Sequence, residues 1–377
     1  MSEVAVHDDI YDKEKVNDLQ DTITRNTKVT VTDISHRTWT DKPPSPLNLA
    51  TAQKRIGSIY GISASSVLDN IQWLYNAGYT TYPRTSNQQY DEDFDFASKI
   101  LALGMQSSID VPDFGGVYEP TKGKKFDPAH PPITPTTIVP DLEELETHKR
   151  LTYIYICRHF VATLMDPSVK EGYTYTLSKG EFDFKTDTRH MVEMGYLSHY
   201  PYGTTYDDNH LDWKEGDVLL VNTIDIEKKE TNPPKRYTSS SLIDRMEKKN
   251  LGTSATRGGM IDKLEKRKYT HGNSGIETTR LGDNVIESLE SFAPLITDSE
   301  FTAELQEDLD ALRMGMVDVE DVIMDTRDWV ADACIEIKKN EKDIGRSMII
   351  SECPNCSGEM IYDNIWKCQD CELSKQK

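Results

Sequence analysis

Four cysteines near the carboxyl end constrain this 377-residue chain more than any other feature. Cys353, Cys356, Cys368 and Cys371 follow the pattern C-x2-C-x11-C-x2-C, whereas Cys157 and Cys334 stand alone in apolar stretches. Two thiol pairs at this spacing can close tetrahedrally around zinc, with Pro354 and Gly358 shaping the first turn. Four protein ligands leave no open coordination position, so the expected Zn2+ is structural and residues 350–377 are expected to form a zinc ribbon. Four free cysteines are the alternative.

The rest of the chain changes period several times. Residues 1–26 are acidic and polar, with weak helical spacing. Thr27 to Ile34 alternates with β-branched residues and predicts a strand, which the prolines at 43, 44 and 46 end. A helix follows in which Ser63 is placed as cap, Val67, Ile71, Leu74 and Tyr75 share a face, and Gly78 is placed as stop. Tyr79 to Tyr90 reads as extended and Val111 to Pro140 as loop. Leu142 to Met165 reads as a helix burying a stripe of Ile154, Cys157, Val161 and Leu164. Short alternating runs between Lys170 and Lys228 predict β structure, and helices return from Ser239 to about residue 340.

Three local patterns carry chemistry. In Tyr82-Pro83-Arg84-Thr85, the phenol can attack a phosphodiester while Arg84 neutralises the phosphate oxygens; an ordinary surface turn is the plain alternative. In Ala129-His130-Pro131-Pro132 a stiff loop can present His130 to a phosphate or a proton in transfer, or simply to solvent. Leu251 to Arg257, a turn of small hydroxyl residues before a helix, resembles a phosphate-cradling helix start.

The net charge of -21 argues against a nucleic-acid binder until it is resolved by position. Residues 227–271 hold twelve Lys and Arg against six Asp and Glu, a local net of +6, which leaves -27 for the remainder. DNA contact by this chain therefore has to be local, and a merely solvated basic face is the competing account. No run of about 18 apolar residues offers a membrane span. The N-terminus has no basic start and no apolar core, so a cytoplasmic, nucleoid-associated protein is expected, with no membrane partner.

Read in order, PPSPLNLATAQ (Pro43 to Gln53), NAGYTTYPRTS, AHPPITPT, YICRHFVATLM, TNPPKRYTSSSLIDRMEKKNLGTSATR and ETTRLGDNV resemble a type IA DNA topoisomerase, closest to the archaeal topoisomerase I and topoisomerase III branch. The resemblance implies a multidomain α+β fold with a toroidal core. Residues 46–165 would form a helical cap bearing the tyrosine, and 27–45 with 166–238 a β-rich arch. Residues 239–345 would form a helical base with the DNA groove, and 1–26 the end of that base. It implies that Tyr82 attacks one strand of single-stranded or negatively supercoiled DNA. The product is a 5′-phosphotyrosyl link and a free 3′-hydroxyl, and after strand passage the break is resealed without ATP. Arg84 would be the phosphate partner and His130 would contact the scissile region. Gln53, Lys235, Arg236, Thr253, Ser254, Thr256 and Arg257 would contact the DNA.

Family members begin with a Toprim domain whose Glu and Asp-x-Asp carboxylates bind Mg2+, and that pattern has no counterpart before the first arch strand. Asp93-Phe94-Asp95 and Asp308-Leu309-Asp310 follow no apolar strand and read as a loop and a solvated helix face. The expectation is a tyrosine-bearing part whose Mg2+ comes from a Toprim-containing partner chain. A single-stranded-DNA-binding fragment without turnover, or a truncated gene product, is the alternative.

Overall fold

The prolines at 43, 44 and 46 separate a β-sheet from a helical body. The structure is a computed structural model describing residues 5–7, 10–105, 109–127, 129–206, 211–253, 256–272, 275–342, 350–353, 355–356, 359–362, 366–368, 371 and 374–375. Ser254, Pro354 and Gly358 lie outside the described residues.

The chain begins with β1 (Val6–His7), α1 (Lys13–Thr22) and the long strand β2 (Lys28–Asp41). Helices α2 (Leu49–Tyr60), α3 (Ala64–Asn76), α4 (Phe96–Gly104) and α5 (Thr147–Ala162) follow. Strands β3 (Ser168–Lys179), β4 (Phe182–Glu193) and β5 (Val218–Leu220) come next. Helices α6 (Ser239–Lys248) and α7 (Arg257–Lys266) lead to the strand pair β6 (Thr270–His271) and β7 (Glu277–Thr278). Then come α8 (Arg280–Phe292), α9 (Pro294–Thr297), α10 (Ser299–Arg313) and α11 (Val319–Lys339). Strands β8 (Ile350–Glu352), β9 (Glu359–Tyr362), β10 (Trp366–Cys368) and β11 (Ser374–Lys375) form a separate antiparallel sheet around the cysteines.

The larger sheet is antiparallel in the order β1-β4-β3-β2-β5. Residues 1–26, expected to belong to the base, contribute its edge strand β1 through Val6↔Lys185 and His7↔Phe184. Its core is thin: Val29, Val31 and Leu177 are buried with a fringe of partly covered apolar residues. Only the start of β2 is apolar, yet the strand runs past the expected Ile34 to Asp41. Its polar half, SHRTWTD, is held by continuous pairing with β3 as far as Asp41↔Ser168. Backbone pairing supplies what side-chain periodicity does not. At the far end, buried Lys170 pairs with the half-exposed carboxylate of Asp41.

The main core lies among α2, α3 and α5. Helix α5 starts at Thr147 rather than Leu142, because Asp141 Oδ1 accepts the Glu143 N–H at 3.0 Å and holds a turn there. It also buries more than a stripe: Tyr153, Tyr155, Ile156, Cys157, Phe160 and Val161 are all at or below 1% exposure, so the helix is enclosed on most sides. His159 within it joins Nε2 to the Ser45 carbonyl at 2.8 Å and Nδ1 to the Tyr200 hydroxyl at 3.1 Å. Burial pushes its pKa down to about 4, so the ring is neutral. The carbonyl contact therefore takes the Nε2 proton, and Nδ1 accepts from the tyrosine.

Helix α4 lies between Tyr90 and Val111, where the sequence reading places no element. Asp95 caps it by accepting the Ser98 N–H at 3.0 Å, which also holds the exposed Asp95 carboxyl below its usual range. The Asp93–Asp95 run is thus a turn and a helix cap, and Asp308 and Asp310 sit on exposed turns of α10. Of the run DVLLVNTIDI only Val218–Leu220 is strand; 222–237 is exposed chain without regular structure. A third small core of Ala64, Ile243 and Ile261 fastens α6 and α7 to the start of α3.

Candidate active site

The turn that ends α3 sets the site. Gly78 has φ +81°, its N–H donates to Tyr75 O at 2.9 Å, and the Tyr79 N–H donates to Leu74 O at 2.9 Å. This left-handed stop reverses the chain and releases Tyr79 onward as an extended run. The run is stitched to the His130 loop: Thr81 N–H donates to Thr134 O (3.0 Å), Thr136 N–H to Tyr79 O (3.0 Å), and Gln88 N–H to Lys125 O (2.9 Å). The Thr81 hydroxyl donates to Pro132 O at 2.8 Å and accepts the Thr134 N–H at 2.9 Å.

The run bends at Pro83 and Arg84, and its burial is uneven: Pro83 and Thr85 are buried, whereas Tyr82 is half-buried and Arg84 exposed. The Tyr82 ring meets Tyr75 edge-on at 5.4 Å and His130 at 4.8 Å with 47° between planes. Among the described residues nothing hydrogen-bonds the Tyr82 hydroxyl or pairs with Arg84. A phenol set against two rings, two residues from a guanidinium with no partner among the described residues, has the chemistry that attack on a phosphodiester requires.

One residue passed over in the sequence sits beneath this arrangement. Asn87 is 1% exposed; its Nδ2 donates to Asp127 O (3.0 Å) and His130 O (2.9 Å), and its Oδ1 accepts the Gln89 N–H (3.0 Å). The Thr85 hydroxyl also reaches His130 O, at 3.4 Å. In sequence Asn87 is one more polar residue of a turn-rich run, and only its burial distinguishes it.

The other candidate residues are dispersed. Lys235 and Arg236 are exposed on the irregular segment before α6, with Arg236 Nε 3.1 Å from Glu277 Oε1. Thr253 and Thr256 are exposed and close the turn before α7, Thr253 N–H donating to Thr256 Oγ1 at 2.9 Å. Arg257 is 7% exposed and folds back on that turn, Nε donating to Leu251 O (3.0 Å) and Nη2 to Gly252 O (2.9 Å). Burial lowers its pKa. Gln53 is 1% exposed and donates to Ala64 O at 3.0 Å, inside the joint between α2 and α3. A Cβ at Gly258 would come within 3.1 Å of Gln53 Nε2 and 3.3 Å of Ala64 Cβ, so α7 begins against the start of α3. Tyr82 lies beside Tyr75 at the other end of that 13-residue helix. The Thr253–Arg257 turn and Tyr82 are therefore about 18 Å apart along α3 at 1.5 Å per residue.

At the carboxyl end the four cysteine sulfurs lie within 4.8 Å of one another, Cys353 to Cys371 at 3.6 Å and Cys356 to Cys368 at 3.4 Å. A tetrahedron of Zn–S bonds of about 2.3 Å has edges of about 3.8 Å, so the group could hold a zinc ion. The Asn355 and Cys371 N–H groups point at Cys353 and Cys368 sulfurs, at 3.4 and 3.3 Å, and would stabilise thiolates. Among the described residues this is the only converging group of three or more His, Cys, Asp or Glu. Among the described residues no helix is long and apolar enough to cross a membrane.

A family model described as DNA topoisomerase matches residues 2–324. The DNA topoisomerase 1 of Methanothermobacter thermautotrophicus is 31% identical over 341 residues, covering 88% of this chain and 47% of that protein. That of Methanocaldococcus jannaschii is 34% identical over 342 residues (85% and 44%), and DNA topoisomerase 3-beta of Oryza sativa 32% over 267 residues (68% and 30%). The chain thus spans about half the length of the archaeal relatives. Full-length topoisomerase I from Thermotoga maritima shares the fold, with a TM-score of 0.74 over 97% of this chain and 62% of that one, at 23% identity.

Proposed function

The chain belongs to the type IA DNA topoisomerase family, and on that premise we propose that it is the tyrosine-bearing part of such an enzyme, cleaving and rejoining one DNA strand through Tyr82. The observation that carries this is the Tyr82 phenol, held between Tyr75 and His130 on an outer face with Arg84 alongside. In the forward step the phenolic oxygen forms a bond to phosphorus and the P–O3′ bond breaks. The phenol gives up its proton and the departing 3′-oxygen takes one. Resealing is the reverse attack by the 3′-hydroxyl, so bond energy is kept in the phosphotyrosine and no ATP is needed. Arg84 neutralises the equatorial oxygens as charge builds, and His130 donates to the scissile region.

The strand would reach Tyr82 from the turn before α7. About 18 Å at 3.4 Å per stacked nucleotide is about five nucleotides, with Thr253, Thr256, Lys235 and Arg236 meeting the far phosphates. Gln53 and Arg257 support this path as parts of its wall: both are buried and hold the α2–α3 joint and the turn in shape. Mg2+ would supply charge neutralisation at the scissile phosphate. Its ligands would come from a Toprim-containing chain, with which strand passage would also be shared. Zn2+ on the four cysteines would hold the terminal sheet together.

The basic stretch of residues 227–271, with a net charge of +6, and the terminal four-cysteine group support a second reading, a single-stranded-DNA-binding fragment without turnover. One experiment separates the two. Single-stranded oligonucleotides labelled at the 3′ or 5′ end are incubated with the chain, alone and with candidate Toprim proteins and Mg2+, then denatured. A protein adduct carrying only the 3′-labelled fragment, and absent in Tyr82→Phe, is expected. Binding with no adduct under any condition would leave the second reading, and an adduct on the 5′-labelled fragment would reverse the assigned polarity.

A further inference from the structure

His130 is exposed and lies in a loop, yet a ring that assists at Tyr82 has to be held to a fraction of an ångström. The prolines at 131 and 132 stiffen the chain after it, but they do not fix where it lies relative to the tyrosine run. Three hydrogen bonds from that run do. Asn87 Nδ2 donates to the carbonyls of both Asp127 and His130, and the Thr85 hydroxyl reaches the His130 carbonyl as well. The Thr85 hydroxyl in turn accepts the Asn87 N–H at 3.0 Å, and Asn87 Oδ1 accepts from Gln89, so the carboxamide has a single satisfied orientation. Thr85 and Asn87 are 0% and 1% exposed, which keeps water from competing for these carbonyls.

Resting on the reading of Tyr82 as nucleophile, we propose that Asn87 is a positioning residue for catalysis: its carboxamide clamps the His130 backbone so that the imidazole lies against the Tyr82 ring. Asn87 touches neither reacting atom. It is three residues beyond Arg84 on the same run, so it ties histidine, arginine and tyrosine to one piece of backbone. Removing the Nδ2 donors leaves the His130 carbonyl with the longer Thr85 contact, and the loop can pivot before Pro131.

A double-mutant cycle tests this without relying on stability. Asn87→Ala and the isosteric Asn87→Asp, which preserves volume but replaces the donor by an acceptor, are each made alone and with His130→Ala. Tyr82 adduct formation with single-stranded DNA is expected to fall roughly 10- to 100-fold in either single variant, the penalty typical of a misplaced group. In the His130→Ala background neither Asn87 change should lower it further. Additive losses would overturn the proposal, because a merely structural residue acts whether or not the imidazole is present. Independently of turnover, NMR should show cross-relaxation between His130 and Tyr82 ring protons in the unmodified protein and none in Asn87→Asp. Absence of that signal in the unmodified protein, or its persistence in the variant, would also overturn it. If the unmodified protein forms no adduct, the functional premise fails while the NMR comparison still decides the role of Asn87.

Discussion

Acid should loosen this protein through one imidazole. His159 has an ordinary pKa of 6.5, which burial lowers to about 4; the Ser45 carbonyl opposes the shift and nearby Arg55 adds to it. Above pH 6.5 the ring is neutral in folded and unfolded chains and contributes no pH dependence. Between 6.5 and about 4 the unfolded chain takes up a proton that the folded chain refuses. Folding stability therefore falls by about 1.4 kcal/mol per pH unit across that window. Below it the folded ring is protonated too, and the accumulated loss levels off at about 3 kcal/mol. The structural cause is specific: a second ring proton would displace the hydroxyl now donated by Tyr200 to Nδ1 and set a cation near Arg55. His159→Gln keeps a donor for the Ser45 carbonyl and removes the titration. Urea unfolding of both proteins, followed by near-UV circular dichroism from about pH 7.5 to about pH 4.5, should show stability falling more steeply in the unmodified protein, by about 2 kcal/mol at the acid end. Parallel pH dependences would refute the argument, because they would mean that the folded ring takes up its proton as readily as the unfolded one.

Four further outcomes follow from the same geometry. Stripping metal with a chelator, or replacing Cys356 with Ser, should unfold the β8–β11 sheet, seen as loss of its NMR amide dispersion, without moving the main thermal transition. Asp41→Asn leaves buried Lys170 without its counter-charge and should cost about 2 kcal/mol in denaturant unfolding, whereas Lys170→Met removes the buried charge along with its partner's role and should cost less. Gly78→Ala strains a residue at φ +81° by about 1 kcal/mol and should reduce Tyr82 adduct formation while single-stranded-DNA affinity stays within about twofold. Lys235→Ala with Arg236→Ala should weaken single-stranded-DNA binding and flatten its salt dependence, by about 0.7 in log-log slope for each phosphate no longer neutralised.

Much of the fold was legible because its determinants are local. Ser63 accepts the Ser66 N–H at 3.1 Å as the cap of α3, and Gly78 closes that helix as its position in the sequence suggested. The breaker at 43–46 and the paired cysteines likewise need only neighbours a few residues away. Where these expectations missed, a distant partner decided. The polar half of β2 is strand because β3 lies beside it, and α5 is enclosed because loops and helices cover faces that a stripe pattern leaves to solvent. Helix α4 has a local signature too, since Asp95 and Ser98 are spaced as a cap and the N–H it accepts.

The sequence by itself determined the family, the tyrosine with its arginine two residues on, the segregated basic stretch and the four-thiol group. Each of these is carried by residue types in a fixed order along the chain, and that order survives folding unchanged. Only the tertiary structure decided where those residues point. It turned Gln53 and Arg257 into their own scaffold, left Arg84 outward, and set His130 on Tyr82 across 48 residues of chain. It also buried Asn87 under two carbonyls of that distant loop. Side-chain direction depends on which surfaces exclude water, and that is a property of the packed molecule and not of the neighbouring letters.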